Sequence, residues 1–518
     1  MAQDPKSEVR YAGLQIVFPE LGYPSDVETK DRTSPSEAPG DGKLQDGISV
    51  ESLSSLDHRP EPREGGVASQ SSTQRKQKWY SLIDKVYAKA NLEAAWERVY
   101  ANRGAPGIDG MSVRKFAEEA PQRLEELSED LRRKTYRPQA VRRVYIPKSG
   151  GGKRPLGIPT VRDRIVQQAL HQVLSPIFET EFSPRSHGFR PEKGCHTALL
   201  VVDQAIKAGY AWVVDADIQA FFDTVDHDRL IAAVNEEVSD GSVLKLIRLI
   251  LEAGVVEPET SEVEPTELGT PQGGPVSPLL ANIYLHAFDR RMVAAGCGLV
   301  RYADDFVIFA KSEDEAKAAL DLARCVLEDE LGLQLHPEKT RVVSVTEGFE
   351  FLGYHYFRSP KTSALRKAVR RKSVQRFRDA IRARTPRLRN QRKPKAKHLT
   401  LGRLKENAAL KARIGSLNRY LEGWFGYFKS VSGLSKFPYG GFDEFVRRRM
   451  RSTITGRTGN GWWTARITNE WFHQLGLLSL NDDLHREYQA AQGNILPRGA
   501  FKGKPRGSPL GRGFRPEG

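Results

Sequence analysis

The sequence predicts an α+β fold, in which a body of alternating strands and helices is followed by a helical, strongly basic C-terminal part. Short apolar runs rich in β-branched residues alternate along the body with longer segments whose apolar residues recur at helical spacing. Beyond residue 360 the pattern is helical, and residues 361–400 carry sixteen Lys or Arg against a single acid. A chain of 518 residues has room for about two to four domains.

The body opens with a helix predicted over residues 82–100, which a Gly- and Pro-containing loop at residues 102–107 ends. A strand at residues 141–147 then turns at a run of glycines into a second strand from Lys153, which is typical of a hairpin. The remaining elements are predicted, in chain order, as a helix at 164–178, a strand at 211–218, a two-stranded hairpin at 299–309 and a helix at 316–327.

Both ends of the chain lack the periodicity of a packed core. Residues 1–75 are rich in Ser, Pro and Gly and carry thirteen acids against eight bases, so we expect a disordered acidic leader, to which the sequence assigns no function. Residues 486–518, rich in Gly, Pro and Arg, predict a flexible basic tail. The N-terminus lacks the apolar segment of a secretory signal, and no run of eighteen apolar residues occurs, so we expect no membrane association.

The positive charge is concentrated in one place. The net charge is +15, yet outside residues 361–400 there are 64 basic and 64 acidic side chains. Such a block is typical of a protein that binds a polyanion, because neutralised phosphates release counterions. A solvated or disordered basic run would have the same composition. The three cysteines, Cys195, Cys297 and Cys325, form no C-x-x-C pair, which fits a reducing cytosol.

Four aspartates stand where strands should be apolar. Asp215 and Asp217 are two residues apart and therefore share one face of a predicted strand, and Asp304 and Asp305 lie at the tip of the predicted hairpin. Buried carboxylates are costly unless they are paired or bind a cation, and oxygen ligands suit Mg²⁺. Two such ions can activate an attacking hydroxyl and stabilise a leaving pyrophosphate. An Asp-Asp pair is also common in β-turns, so the hairpin alone does not establish metal chemistry.

The sequences around these aspartates resemble one family, motif after motif and in the same order. Tyr302, Asp304 and Asp305 form a Y-x-D-D sequence like the signature of reverse transcriptases, and residues 217–223 resemble the preceding palm motif of group II intron proteins. That family usually has Lys at the position of Gln219. Further stretches that resemble it lie at residues 146–148, 153–159, 163–164, 186–191, 269–283, 335–340 and 349–354.

Similarity to group II intron-encoded reverse transcriptases and maturases implies a right-hand polymerase. Its fingers and palm, of α+β type with an antiparallel palm sheet, would occupy residues 76–357. An all-helical part would follow, with a basic thumb at residues 358–405 and the maturase domain X at residues 406–485. Many relatives end in a Cys- and His-containing endonuclease domain. With no cysteine beyond Cys325 we expect none here, so a mobile intron would prime on nascent DNA at replication forks.

The resemblance also implies roles for particular residues. Asp217, Asp304 and Asp305 would be catalytic and would bind two Mg²⁺ ions, with Asp305 the weaker ligand and Asp215 a supporting acid. Phe222 falls at the position of a steric gate that favours deoxynucleotides. The other nucleotide-binding candidates are Lys148, Lys153, Arg154, Gln272, Gly273 and Lys339, although a solvated turn lysine is the stronger interpretation of Lys339.

RNA binding is expected from the basic block and from residues 417–428, which resemble domain X. Aromatic side chains there can stack on unpaired bases, although for the aromatics alone a helix-packing core is the stronger interpretation. The implied partners are group II intron RNA as template, a DNA target as primer, and dNTPs, within a cytoplasmic, nucleoid-associated ribonucleoprotein of a bacterium. The sequence leaves open a monomer or a homodimer. The RNA-binding candidates are Arg370, Arg371, Lys372, Arg376, Arg378, Arg419, Trp424 and Lys429.

Three functions compete. The first is an RNA-directed DNA polymerase that is also the maturase of its own intron. The second is an RNA-binding splicing cofactor with a vestigial polymerase, against which the retained aspartates argue. The third is a domesticated or defence-associated reverse transcriptase. The resemblance to domain X and the motif at Gln272 and Gly273 argue against it, and a group II intron catalytic hairpin just downstream of the gene would exclude it.

Overall fold

The computed structural model describes residues 78–147, 152–257, 262–270, 273–359, 364–386, 400–431, 438–456 and 466–491. The described residues form two compact units, with the boundary between Leu365 and Arg366. The predicted leader, most of the predicted tail and two candidate site residues, Lys148 and Gln272, lie outside the described residues. Within the described part of the chain, no helix has the length and apolarity needed to cross a membrane.

The first unit begins with four helices. The single helix predicted at residues 82–100 is in fact two, α1 (Ile83–Tyr87) and α2 (Lys89–Ala101), because Ala88 takes an extended conformation at φ −53° and ψ 132°. Both helices contribute to one apolar core, which α3 (Val113–Glu118) and α4 (Ala120–Arg132) complete on this side. Periodicity across residues 82–100 could not reveal the break, since a short kinked connection leaves the apolar spacing almost unchanged.

The predicted hairpin is confirmed as β1 (Val141–Pro147) and β2 (Lys153–Ile158), which pair antiparallel with Pro147 opposite Lys153. With β4 (Val255–Val256) and β5 (Val263–Glu264) they form a sheet of order β2-β1-β4-β5. The predicted helix at residues 164–178 is confirmed as α5 (Val161–Glu179). It starts earlier because the Thr160 hydroxyl accepts a hydrogen bond from the Asp163 N–H and caps it.

A second sheet contains the strands that carry the aspartates. It consists of β3 (Trp212–Asp217), β6 (Gly298–Tyr302), β7 (Asp305–Ala310) and β8 (Arg341–Ser344), in the order β6-β7-β3-β8. Every pairing in it is antiparallel, as expected for the palm. The helices that pack on this sheet are α6 (Cys195–Lys207), α10 (Ser277–Ala294) and α11 (Glu313–Arg324), the last continued by a π-helical turn at Cys325–Glu330.

One carboxylate ties a helix that follows β3 to the start of α1. Asp240 caps α9 (Gly241–Leu251) through the N–H groups of Ser242 and Val243, at 2.9 and 3.2 Å. Its other oxygen accepts the N–H groups of Leu82 and Ile83 at the start of α1, at 2.7 and 2.9 Å. The unit also contains α7 (Phe221–Thr224), α8 (His227–Glu237) and a hairpin of β9 (Phe349–Phe351) and β10 (Tyr354–Arg358).

The second unit begins within the strand β11 (Leu365–Val369), at Arg366. A helix was expected there, and the strand corrects that expectation. The apolar stripe of a helix begins only with Phe377 and Ile381 of α12 (Arg371–Arg384). The other helices of this unit within the described residues are α13 (Leu401–Glu406), α14 (Ala408–Phe428), α15 (Gly440–Thr455), α16 (Asn469–Gln474) and α17 (Arg486–Ala491), with a π-helical turn at Leu480–His485 before the last.

Candidate active site

Three aspartates meet at one end of the second sheet. Asp217, the last residue of β3, lies directly opposite Asp305, the first residue of β7. Opposed residues of antiparallel strands project to the same face, so these two carboxylates are neighbours. Tyr302 and Asp305 close the pairing of β6 with β7, which leaves Ala303 and Asp304 as a two-residue turn. The sheet register therefore brings together the three carboxylates that the sequence assigned to catalysis.

The backbone on both sides of these carboxylates is strained. Ala303, in the turn, has φ 58°, and Ala220, three residues after Asp217, has φ 47°. A left-handed conformation costs a residue with a side chain about 1 kcal/mol, and such strain is concentrated at functional sites. The surrounding structure must hold both positions, since an unconstrained Ala would not remain there.

Within the described residues, the cations of Lys339 and Arg154 act on these carboxylates. The Lys339 amine lies 2.5 Å from the Asp217 carboxylate, and the loop that carries it is fixed by a hydrogen bond of 2.9 Å from the His336 N–H to the Asp217 carbonyl. Burial raises the pKa of Asp304, and the neighbouring charge of Asp217 raises that pKa further. The charges of Arg154 and Lys339 act in the opposite direction. Asp217, Asp304, Arg154 and Lys339 are thus one electrostatically connected group.

The donor set fits a hard divalent cation. The raised pKa of Asp304 means that a nearby positive charge would stabilise its ionised form. Within the described ranges, no three carboxylate, imidazole or thiol groups already surround a single point. Mg²⁺ does not need such a cage, because it commonly takes one or two carboxylates and completes its shell with water and substrate phosphates. The Lys339 amine would have to leave Asp217 for that carboxylate to bind a metal.

Asp215 has a different environment from the other aspartates. It pairs with the Arg341 guanidinium on the adjacent strand at 3.0 Å. Burial raises the pKa of Asp215 to about 6, although the hydrogen bond from Arg341 lowers it. The structure therefore pairs this carboxylate with a cation, and its supporting role stays a prediction.

The β1–β2 hairpin separates the two candidate phosphate ligands. Successive residues of a strand point to opposite faces. The Lys153 amine lies over the ring of Tyr145, 5.6 Å from its centroid. Arg154 projects to the other face, and it is Arg154 whose charge acts on Asp304. The structure therefore brings Arg154 to the carboxylates and does not bring Lys153 there.

Phe222 lines a cleft of about 210 Å³ together with Arg143 and Gly269. The Phe222 carbonyl accepts a hydrogen bond of 2.7 Å from the Thr270 N–H. Gly269, at φ 90°, approaches so closely that a Cβ would lie 2.7 Å from the same carbonyl oxygen. Gly273, at φ 119°, is packed against β2, where a Cβ would lie 2.2 Å from the Gly157 carbonyl oxygen. Both loop positions require glycine, and the close packing fixes the loop beside Phe222.

The RNA-binding candidates are distributed differently over the second unit. Arg371, Lys372 and Arg378 of α12 and Arg419 of α14 are exposed, and the remaining basic candidates, Arg370, Arg376 and Lys429, are half-buried. Trp424 is only 9 % exposed and packs on Phe377 and Phe442, with ring centroids 4.8 Å apart in both pairs. Its ring belongs to the apolar core of this unit and is not placed to stack on a base.

One group near the carboxylates was missed by sequence reasoning. Arg301, in the middle of an apolar strand one residue before the Y-x-D-D sequence, is fully buried beside Asp289. The available signal was a charged residue flanked by Leu299, Val300 and the β7 strand sequence, where an unpaired charge would be costly.

Two family models match this chain, one in each unit. A family model described as reverse transcriptase (RNA-dependent DNA polymerase) matches residues 146–356, which include the three aspartates, Arg154, Phe222 and Lys339. A second model, described as the maturase-specific domain of group II introns, matches residues 395–471 in the second unit. The fold of the first unit is therefore that of a reverse transcriptase, and the expected right-hand polymerase architecture is confirmed.

Two similar proteins indicate the family to which the chain belongs. Protein YkfC of Escherichia coli (strain K12) is 35% identical over 298 residues, which cover 50% of this chain and 78% of that protein. The group II intron-encoded protein LtrA of Lactococcus lactis subsp. cremoris is 32% identical over 327 residues, which cover 50% of this chain and 54% of LtrA. The chain belongs to the family of group II intron-encoded reverse transcriptases and maturases. It spans about half the length of LtrA.

Proposed function

We propose that the protein is an RNA-directed DNA polymerase that copies group II intron RNA into DNA and assists the splicing and mobility of that intron. The observation that supports this most directly is the register of β3 against β7, which sets Asp217 beside Asp305 and next to the turn at Asp304. The match of the second unit to the maturase-specific domain supports the splicing role. A DNA target as primer and dNTPs complete the proposed set of substrates.

Asp217, Asp304 and Asp305 would hold two Mg²⁺ ions, with Asp305 as the weaker ligand. When bound, the ions supply Lewis acidity that activates a primer hydroxyl and neutralises charge on the leaving pyrophosphate. The Lys339 amine, released from Asp217, is near enough to neutralise the phosphate groups that arrive at the same place.

Arg154 would hold the triphosphate, because its guanidinium can donate two parallel hydrogen bonds to phosphate oxygens and it faces the carboxylates. Phe222, beside the cleft, would crowd a 2′-hydroxyl and thereby favour deoxynucleotides. The backbone at Gly273, where no side chain fits, would form part of the same pocket. Lys153, whose amine lies over the Tyr145 ring on the opposite face of the hairpin, would contribute less to nucleotide binding than Arg154.

The exposed cations of α12, Arg371, Lys372 and Arg378, would bind phosphates of the intron RNA. Arg370, Arg376, Arg419 and Lys429 would add to the same electrostatic attraction. We place this ribonucleoprotein in the cytoplasm, in association with nucleoid DNA, since the proposed target is DNA.

Primer extension tests the polymerase. Purified protein with a primed RNA template, dNTPs and Mg²⁺ should extend the primer, and Asp304→Ala should abolish extension. Asp321→Ala is the matched control, because Asp321 is an exposed aspartate on α11 in the same unit. Robust extension by Asp304→Ala would refute the site.

A splicing assay with the intron RNA tests the second activity. Asp304→Ala should still promote splicing, because the proposed RNA-binding surface is in the other unit. Splicing by the intact protein without any detectable DNA synthesis would instead favour a splicing cofactor with a vestigial polymerase.

A further inference from the structure

A fully buried ion pair lies directly behind the turn that carries Asp304. Arg301 of β6 and Asp289 of α10 are both 0% exposed. The Arg301 Nε and Nη2 atoms donate to the two oxygens of Asp289 at 2.7 and 2.5 Å. Its Nη1 atom donates to the Asn282 side-chain oxygen at 3.1 Å and to the Ala303 carbonyl at 2.9 Å. Strand, helix and turn are thus joined by one guanidinium.

Fold stability does not require a charged pair at this place. Two ions lose their hydration on burial, and well-packed apolar residues of similar volume commonly stabilise a core as well or better. What an apolar pair cannot do is donate a hydrogen bond to the Ala303 carbonyl. That bond is therefore the part of the arrangement that calls for a specific explanation.

The Ala303 carbonyl belongs to the peptide unit that continues into Asp304, so its orientation sets the direction in which the Asp304 side chain leaves the turn. Ala303 is in the left-handed conformation, which it does not favour by itself. On its other side the turn packs on Gly188, where a Cβ would lie 2.4 Å from the Ala303 nitrogen. The Gly188 carbonyl in turn accepts a hydrogen bond of 2.8 Å from Asn282. Both sides of the turn are thus fixed to the same helix.

That helix, α10, also lies close in sequence to Gly273, whose backbone packs against the Gly157 carbonyl of β2. It starts at Ser277, immediately after the loop that contains Gly269 and Gly273. Asn282 and Asp289 are seven residues apart and therefore lie on the same face, which is the face directed at Arg301.

We propose that Arg301 is a positioning residue, whose guanidinium, held by Asp289 and Asn282, fixes the Ala303 peptide and so aims the Asp304 carboxylate at the metal. This inference rests on the proposed function. Residues that orient a metal ligand from behind typically change metal affinity or activity by ~10- to 100-fold when they are replaced. We expect effects of that size on metal binding, with nucleotide binding much less affected.

The test uses the full-length protein and measures Mn²⁺ binding by electron paramagnetic resonance, without nucleic acid, beside the melting temperature and primer extension. Two variants separate positioning from packing. Arg301→Lys retains a cation for Asp289 but cannot also reach Asn282 and the Ala303 carbonyl with a planar fork. The double variant Arg301→Met with Asp289→Leu replaces the pair by apolar side chains and removes the same bond. If the double variant does not fold, Arg301→Lys carries the test.

In both variants the dissociation constant for Mn²⁺ should rise ~10-fold or more, and kcat should fall while the KM for dNTP changes little. Asp240→Ala is the stability control, since it uncaps α1 and α9 and lowers the melting temperature without touching the turn. Its Mn²⁺ affinity should equal that of the wild type.

Asp304→Ala distinguishes a failure of the proposed metal site from a failure of the positioning role of Arg301. If the wild type binds Mn²⁺ and Asp304→Ala does not, the metal site stands. Arg301 variants that fold and bind Mn²⁺ within about twofold of the wild type would then overturn the positioning role alone. If wild type and Asp304→Ala bind Mn²⁺ equally, the proposed metal site and this inference both fail.

Discussion

The contact between Lys339 and Asp217 predicts that a cation of the protein competes with the metal. Replacing Lys339 by Met removes the amine and retains most of the apolar stem. Because a metal at Asp217 must displace that amine, the Lys339→Met protein should bind divalent cations more tightly than the wild type. The same variant should be slower in primer extension, since the amine is no longer available to the phosphates.

The expected size of the change in metal affinity follows from the solvent exposure of the Lys339–Asp217 ion pair. The amine and carboxylate are 2.5 Å apart, but their side chains are 59% and 26% exposed, so water and salt screen the attraction. Exposed ion pairs contribute ~0.5–1 kcal/mol. At 1.4 kcal/mol for each factor of ten, this corresponds to a two- to fivefold change, roughly, in the dissociation constant. Raising the ionic strength should reduce the difference between the two proteins.

Mn²⁺ binding to the protein without nucleic acid measures this directly, with Lys339→Arg as the matched control. The arginine variant keeps the charge and should bind Mn²⁺ within about twofold of the wild type. Weaker or unchanged Mn²⁺ binding by Lys339→Met would show that the amine does not compete for Asp217. Tighter Mn²⁺ binding by Lys339→Met without any loss of kcat would mean that the amine competes with the metal but does not assist the reaction.

Three further predictions concern the hairpin, the helix caps and the basic helix. Arg154→Ala should raise the KM for dNTP ~10-fold or more, whereas Lys153→Ala, on the opposite face, should raise it by less than ~3-fold in the same steady-state assay. Asp240→Ala should lower the free energy of unfolding by ~2 kcal/mol, one for each helix start. Burial alone would raise the pKa of Asp240, but four backbone N–H donors lower it. The stabilisation that the Asp240 carboxylate provides is therefore complete above its unfolded-state pKa of 3.8 and is lost as the pH falls through its lower folded-state pKa. The free energies of unfolding of the variant and the wild type, measured in urea, should therefore converge at acidic pH. Neutralising the three cations at the start of α12, Arg370, Arg371 and Lys372, should reduce the slope of log K for RNA binding against log salt concentration by ~2. An unchanged slope would contradict the proposed contacts.

Elements with strong local signals could be predicted from the sequence. The hairpin of β6 and β7 follows from alternating apolar residues around a two-residue turn, and β1 with β2 from a glycine-rich turn between strands. The strand β11 was missed because its cations hide any apolar pattern, and the break at Ala88 because it preserves the spacing of the flanking apolar residues. These failures are local and have local causes.

The arrangement of the site could be predicted only in part. Motifs identified Asp217, Asp304 and Asp305, but the pairing of Asp217 with Asp305 depends on the register between strands far apart in the sequence. The different faces of Lys153 and Arg154 follow from strand alternation, although which face meets the carboxylates does not. The role of Arg301 depends on a helix that approaches from elsewhere in the chain, so no pattern around Arg301 could reveal its partners.

The balance of charge at the site leads to a final prediction about the order of binding. Among the described residues, Lys339 and Arg154 place positive charge on the clustered carboxylates. A nucleoside triphosphate offers both cations phosphate oxygens, and thereby releases the carboxylates for the metal. The wild type should therefore bind Mn²⁺ more tightly in the presence of a dNTP, beyond what the free nucleotide itself chelates, and Lys339→Met should gain less from the nucleotide. Equal gains in the two proteins would mean that the amine does not move from carboxylate to phosphate.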